Sequence, residues 1–436
     1  MKTTNVFRCA FVASIVLFHI CFGTSLFAQL YVEGGNTKHR FAQMYLGAEG
    51  LFQPGLNAQT SSIRENGEFR QISMQDRISP RLTIGGSHFW GHADFYVTFN
   101  PLPQRSITSG LQYGYQLGVE TGARIYPWRV ERDGLRPFVG IAWSSGSYTQ
   151  GNPNGNANEQ GATIRLDRAI FQGGLTYQTG DIIIEGGAKW IPQNTLDYWV
   201  NREIEAPISF PNFAFWLGAK YVFDTTLPAE EGEKSGYLKK REEKYRRENK
   251  LNTWTIAAGP STATALERSS YNSDKLPFMN ETFSANSIAL DFSVGYYVFD
   301  WDTQLNLSYR PLIGSQRGYG VVQELNRHAF ALEAFKCVGD YHGFVPFVGA
   351  FLGYESLQYI ETDKGTQTVN QTEGKFVPGV IVGWDIRPTT TDAWLLRTNL
   401  RYTPFAALNV QGKQVMFPNF EFNFIQLVVN LNRIFQ

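Results

Sequence analysis

Apolar and polar residues alternate one for one through most of this chain, and that period of two predicts β-strands throughout. From Trp301 to Arg310, the residues Trp301, Thr303, Leu305, Leu307 and Tyr309 take one face, and Asp302, Gln304, Asn306, Ser308 and Arg310 the other. From Tyr113 to Tyr126, the same rule sets Tyr113, Tyr115, Leu117, Val119, Ala123 and Ile125 against Gly114, Gln116, Gly118, Glu120, Gly122 and Arg124. Ile288 to Tyr296 repeats it, with Asp291 and Ser293 on the polar face. Strands of about ten residues with one face for lipid and one for a crowded polar interior are what a membrane-spanning β-barrel requires.

In the first half the alternation predicts strands over 39–51, 81–90, 93–101, 113–126, 136–147, 163–178, 181–191 and 211–223. Long connections follow the odd strands, as at Phe52 to Pro80 and Gly146 to Ala162, and tight turns such as Trp90-Gly91-His92 and Thr179-Gly180-Asp181 follow the even ones. The second half keeps the plan, with long connections near 266–285, 313–325, 358–374 and 404–417. Long loops on one side and short turns on the other, the latter in the periplasm, are the asymmetry of bacterial outer-membrane barrels. Phe89, Trp90, Tyr126, Trp128, Trp190, Tyr296, Trp301, Trp394 and Tyr402, near strand ends, are expected in the interfacial aromatic girdles.

The two halves carry collinear landmarks. Phe210-Pro211-Asn212-Phe213-Ala214-Phe215 matches Phe417-Pro418-Asn419-Phe420-Glu421-Phe422, and Pro137-Phe138-Val139-Gly140 matches Pro346-Phe347-Val348-Gly349. Phe99-Asn100-Pro101-Leu102 and Trp190-Ile191-Pro192 likewise match Tyr309-Arg310-Pro311-Leu312 and Tyr402-Thr403-Pro404. Landmarks in one order at one spacing argue for a duplicated unit. Between the halves, 225–250 is densely charged, from Glu230 through Lys239, Lys240 and Arg241 to Glu248, and reads as a solvated periplasmic linker with almost nothing apolar to bury.

The first 28 residues have the layout of a secretory signal, with Lys2 and Arg8 ahead of an apolar core from Phe11 to Phe22 and a small residue, Ala28, before Gln29. Removing them takes Cys9 and Cys21 and leaves Cys337 alone, so no disulfide framework is expected. The domains are then a signal peptide (1–28), a first barrel repeat (29–224), the linker (225–250) and a second repeat (251–436). Lysine plus arginine equals aspartate plus glutamate at 39 each, so no global charge points to nucleic acid.

The layout resembles the OmpA-like eight-stranded outer-membrane barrel family, here in tandem, over nearly all of Gln29 to Gln436. The resemblance implies two antiparallel up-and-down barrels, outer-membrane lipid around them, and assembly by the barrel assembly machinery, which reads an aromatic residue at the chain end. Here the last aromatic residue is Phe435, ahead of Gln436. The globular peptidoglycan-binding domain that often follows such a barrel is not expected. One sixteen-stranded barrel acting as a diffusion channel is the alternative, since that many strands leave a water-filled lumen.

Glu120, Arg124, Glu185, Lys189 and Lys220 in the first half, and Asp291, Asp302, Arg310, Glu333, Arg397 and Arg401 in the second, fall on the polar face. In so narrow a lumen they are expected to pair and plug it. A passage gated by exchange of those pairs is the sharper reading that the resemblance implies. Five histidines follow the signal, His39, His88, His92, His328 and His342; His88 and His92 bracket a turn, so they imply no metal pair, His342 lies near a turn, and His328 has no serine or carboxylate spaced to orient it. The glycine pairs Gly34-Gly35, Gly85-Gly86 and Gly186-Gly187 introduce no helix, so no phosphate loop and no cofactor is expected. The function expected is non-enzymatic, structural or surface-interacting, with an outer-membrane barrel enzyme as the remote alternative; the linker is a candidate contact for the cell wall or a periplasmic protein.

Overall fold

The computed structural model describes residues 31–34, 37–40, 42–65, 68–89, 91–102, 106–108, 111–128, 134–152, 161–192, 194–223, 235–283, 289–340, 343–387 and 390–434. The expected signal segment, Trp90, His342, residues 225–234 of the linker and Phe435 lie outside them. Among the described residues no helix is long and apolar enough to cross a membrane.

The strands close into two rings. The first consists of β1 (Ala42–Gln53), β2 (Arg77–His88), β3 (Ala93–Phe99), β4 (Leu111–Ile125), β5 (Gly134–Gly151), β6 (Thr163–Thr179), β7 (Ile182–Trp190) and β8 (Phe213–Phe223). Each is antiparallel to the next, and β8 returns to pair with β1. After helix α1 (Ser235–Arg247), the second ring runs through β9 (Thr253–Thr264), then helix α2 (Ser270–Lys275), β10 (Ala289–Val298), β11 (Thr303–Gly318) and β12 (Val321–Cys337). It continues through β13 (Phe344–Asp363), β14 (Thr366–Ile386), β15 (Trp394–Tyr402) and β16 (Phe420–Asn430), which pairs with β9. Because β8 closes on β1, the single sixteen-stranded ring is ruled out. Closure leaves no edge that hydrocarbon would have to accommodate.

Polarity is inverted relative to a soluble protein. Val139, Leu217, Leu332 and Phe376 are two-thirds or more exposed on the outer walls, while Arg81, Arg124, Lys189 and Arg327 are wholly buried inside. On β14 the outer apolar face runs from Phe376 through Val380, Val382 and Trp384 to Ile386. That is roughly 33 Å along the strand and about 23 Å at a tilt of about 45°, close to the height of a barrel's apolar band.

Four expectations change. Tyr113, Tyr115 and Leu117 are buried inside the first barrel, not set against lipid. In the pairing of β4 with β5, three steps from Leu117 to Glu120 oppose two from Gly146 to Ser144. This bulge flips the alternation, so Tyr113, Tyr115 and Leu117 share the lumen with Glu120 and Arg124. Tyr126 is likewise inside, with Arg136 stacked 3.6 Å from its ring centroid, so it is not a girdle residue.

The segments 313–325 and 358–374 are not loops. β11 and β12 run on to a two-residue turn at Tyr319-Gly320, and β13 and β14 to one at Lys364-Gly365. All four turn residues have positive φ (49° and 86°, 49° and 83°), the turn type that matches strand twist, and the hairpins rise out of the apolar band. Within 404–417, strands Ala407–Val410 and Lys413–Met416 form a further hairpin, and within 52–80 so do Leu56–Glu65 and Glu68–Met74. Finally, the charged linker is not freely solvated over 235–250. Its helix α1 buries Tyr245, and Arg241 donates to Asp392 (3.2 Å) and to the Thr391 carbonyl (3.1 Å) at the turn end of the second barrel.

The barrels stand side by side with loops beside loops and turns beside turns. On the loop side Ala162 bridges to Gly318, and Arg202 grips Asp363 through two hydrogen bonds (2.5 and 3.1 Å) while donating to the Tyr319 carbonyl. Asn280 accepts from the Arg165 amide (2.9 Å) and donates to the Thr163 carbonyl (2.8 Å). On the turn side the rings of His88 and Phe89 lie 5.9 and 6.0 Å from Phe344.

Candidate functional site

The polar face of each ring converges on the lumen, where long charged side chains leave space only for one another. In the first barrel Glu120 is the hub. It accepts from Lys189 (2.7 and 2.8 Å), from both terminal nitrogens of Arg81 (3.1 Å each) and from the Tyr96 hydroxyl (2.6 Å). One layer nearer the turns, the Nη1 of Arg124 donates to both oxygens of Glu185 (2.8 and 3.0 Å), and Lys220 reaches Glu185 at 2.8 Å and Asp94 at 3.4 Å. Arg124 is packed among Tyr96, Phe138 and Trp216, 4.3 to 4.9 Å from their ring centroids. Room for it comes partly from Gly140, where a Cβ would stand 2.5 Å from the Ala123 carbonyl and 3.0 Å from the Arg124 side chain.

In the second lumen the cation of every ion pair among the described residues is an arginine. Arg401 donates to Asp291 (2.5 Å) and forks onto Glu333 (2.8 and 3.2 Å), which also takes Arg310 (3.3 Å) and Ser308 (2.8 Å). Arg327 forks onto Glu355 (2.5 and 2.8 Å) and lies 2.7 Å from Glu421. Arg397 forks onto Asp385 (2.7 and 2.8 Å) over the rings of Phe335 and Phe347.

Of the eleven residues singled out from sequence, ten sit in these networks. The eleventh, Asp302, does not project into the lumen wall: it occupies the β10–β11 turn with φ 45°. There it is held by Arg387 (3.0 Å to each oxygen) and by the Tyr297 hydroxyl (2.5 Å). Burial works to raise the Asp302 carboxyl, but Arg387 and Tyr297 outweigh it and hold it below the ordinary aspartate range. Nearby Arg433 is lowered to about 10 by burial.

Sequence reasoning missed Glu49, Arg81 and Asp94 in the first barrel and Arg327, Glu355, Asp385 and Glu421 in the second. All are buried in ion pairs within their lumens. Their signal was present, since Arg81 and Asp94 hold every-second positions with Thr83, Tyr96 and Thr98 on the inner face.

Each lumen is closed again on the loop side. The hairpin of Thr195–Trp199 and Glu205–Ser209 folds Tyr198, Ile208 and the adjoining Phe210 over the first barrel, against Tyr115 and Tyr148. Over the second, the Ala407–Met416 hairpin and the α2 segment bury Leu408, Val410, Val415 and Tyr271 against Leu325, Leu357 and Tyr359. The Tyr271 hydroxyl is pushed up to about 12 by burial and by Glu361.

The histidines with described side chains take no part in these networks. His88 lines the seam between barrels, His92 contacts the Tyr126 carbonyl (3.2 Å), and His328 stacks on Tyr309 on the outer wall.

No family model and no curated protein matches the chain. Among solved structures it is similar to the transport unit of the autotransporter AIDA-I from Escherichia coli, with 9% identity over 92% of this chain and 93% of that one and a TM-score of 0.23. It is also similar to an outer membrane channel from Pseudomonas putida F1 (9% identity, 91% and 99% covered, TM-score 0.21). A third is the outer membrane protein OmpT of Vibrio cholerae (9%, 89% and 98%, 0.17). At such scores these likenesses carry no weight of their own, and the conclusion rests on the rings, the outer apolar band and the charged interiors: the chain is a transmembrane β-barrel protein of the outer-membrane type.

Proposed function

We propose that this is a non-enzymatic bacterial outer-membrane protein made of two duplicated OmpA-like barrels that conduct no solute and act structurally or through their outward loops. The observation that carries this reading is the double closure of each lumen, by a buried ion-pair core and by an apolar cap above it. The assignment of 29–224 and 251–436 as repeats, after a signal at 1–28, is supported by where the landmarks fall. Phe138 and Phe347 both lie on the fifth strand of their ring, point inward and carry an arginine, Arg124 and Arg397 respectively. Both Phe-Pro-Asn-Phe runs lead into the eighth strand.

The partners we assign are outer-membrane lipid, the barrel assembly machinery and, through the exposed Lys239, Lys240, Lys244 and Arg247 of α1, an anionic periplasmic or cell-wall component. Conductance of the refolded mature chain in a planar bilayer tests the central claim. Silence is expected, and steady large currents would sink it. A gated passage is the second reading. It is favoured by Lys189 and Lys220, each within reach of two carboxylates and so able to trade one for the other. It predicts brief small openings whose frequency changes in Glu120→Ala.

A further inference from the structure

Between the two barrels, in the half of the apolar band nearer the turns, lies a groove of about 110 Å³. Ile84, Phe95 and Val97 line one wall, and Trp384, Leu396 and Phe424 the other. The bulge in β16 sets two consecutive residues, Phe424 and Ile425, along it. Gly86 is on the first wall, and a Cβ there would lie 3.0 Å from the Gln43 carbonyl and 3.2 Å from the His88 ring, so this wall stays bare.

Two round walls standing in hydrocarbon diverge on either side of their line of contact, and water will not fill an apolar gap at that depth. What can fill it is hydrocarbon.

Gln43, Thr121, Thr398 and His88 are the polar side chains that reach the lining beside Tyr96, and of these His88 is the one with a buried atom left unpaired among the described residues. His88 ends β2 at the turn side, is 7% exposed and borders the groove, and its Nδ1 is buried without a hydrogen-bond partner among the described residues. Around it stand Phe89, Phe95 and Phe344, which offer no acceptor. The turn-side end of the apolar band is the level at which the ester oxygens of a phospholipid lie, and in the tautomer that carries its proton at Nδ1 the unpaired ring nitrogen donates to one.

We infer that the inter-barrel groove is a binding site for one phospholipid of the turn-side leaflet, with an acyl chain between Ile84 and Leu396 and an ester carbonyl accepting from His88. The site rests on the membrane reading above, and it makes lipid a constituent of the seam instead of its surroundings.

The mature chain, refolded into vesicles of phosphatidylethanolamine and phosphatidylglycerol, extracted in mild detergent and washed, is to be weighed by native mass spectrometry. One retained phospholipid is expected on the wild type. It is lost in Ile84→Trp and in Leu396→Trp, which fill the groove from opposite walls. It is kept in Leu352→Trp, on a freely exposed stretch of outer wall. His88→Phe keeps the aromatic packing but gives up the lipid at an earlier wash. Heat-dependent gel migration reports insertion separately. A folded wild type that carries no lipid, or a folded groove-filled variant that carries as much as the wild type, overturns the site; a chain that never inserts overturns the membrane reading with it.

Discussion

The two lumens solve one problem with different cations. The first neutralises Glu49, Asp94, Glu120 and Glu185 with two arginines and two lysines, and its pairs are shared: Lys189 lies 2.7 Å from Glu120 and 3.7 Å from Glu49. The second holds its carboxylates with arginine forks, three of them two-pronged. A guanidinium fork fixes both partners in one plane, whereas an ammonium is a point charge that can slide between acceptors. The first core therefore tolerates rearrangement, and the second specifies one arrangement.

Removing a carboxylate should separate the two most strongly. In Asp385→Ala, Arg397 loses its one ion-pair partner among the described residues, and a buried charge left alone costs about 3–5 kcal/mol. Glu120→Ala should cost about half as much, because Glu49 already stands 3.4 Å from Arg81 and can take up both cations. Urea midpoints in detergent micelles measure both, and equal losses would break the comparison.

Next in size is Arg397→Lys, which keeps the charge but loses the fork onto Asp385 and the stacking on Phe335 and Phe347. A loss of about 2 kcal/mol is expected by the same assay. A fully tolerated lysine would mean that fork geometry does not matter in the second barrel.

Arg202→Ala tests whether the barrels unfold together. Its pair with Asp363 is partly exposed, at 27% and 37%, so the direct cost is about 1 kcal/mol or less. Calorimetry should show the unfolding transition broadening or splitting into two as the loop-side clasp is lost.

The smallest effect is a pH dependence confined to the second barrel. Asp302 has a depressed carboxyl, so its pairing with Arg387 stabilises the turn above the ordinary aspartate range and is lost as pH falls below about 4. Acid titration of the melting temperature should flatten in that window in Asp302→Asn.

Most of the strand plan was legible because a period of two is hard to imitate, and inward charges such as Glu333 and Lys189 followed from it. The failures have local causes. A Cβ at Gly118 would meet the Ser145 carbonyl at 2.2 Å, and the bulge there inverts the face of everything before it; no alternation count shows this. The hairpins at Tyr319-Gly320 and Lys364-Gly365 were hidden because strands above the apolar band are polar on both faces, as over Thr366 to Lys375. Tyr245, flanked by charged residues, gave no period to read, yet among the described side chains of α1 it is the buried one.

That β8 closes on β1 has a consequence for how the chain is made. In one large ring, the first eight strands would wait with two open edges until β16 arrived, each edge a template for mispairing. Entropy is not the reason to avoid this, since doubling the closed span adds only about 0.6 kcal/mol. Two small rings allow either half to close its own strand edges without waiting for the other, so the vulnerable interval of biogenesis is never longer than one barrel.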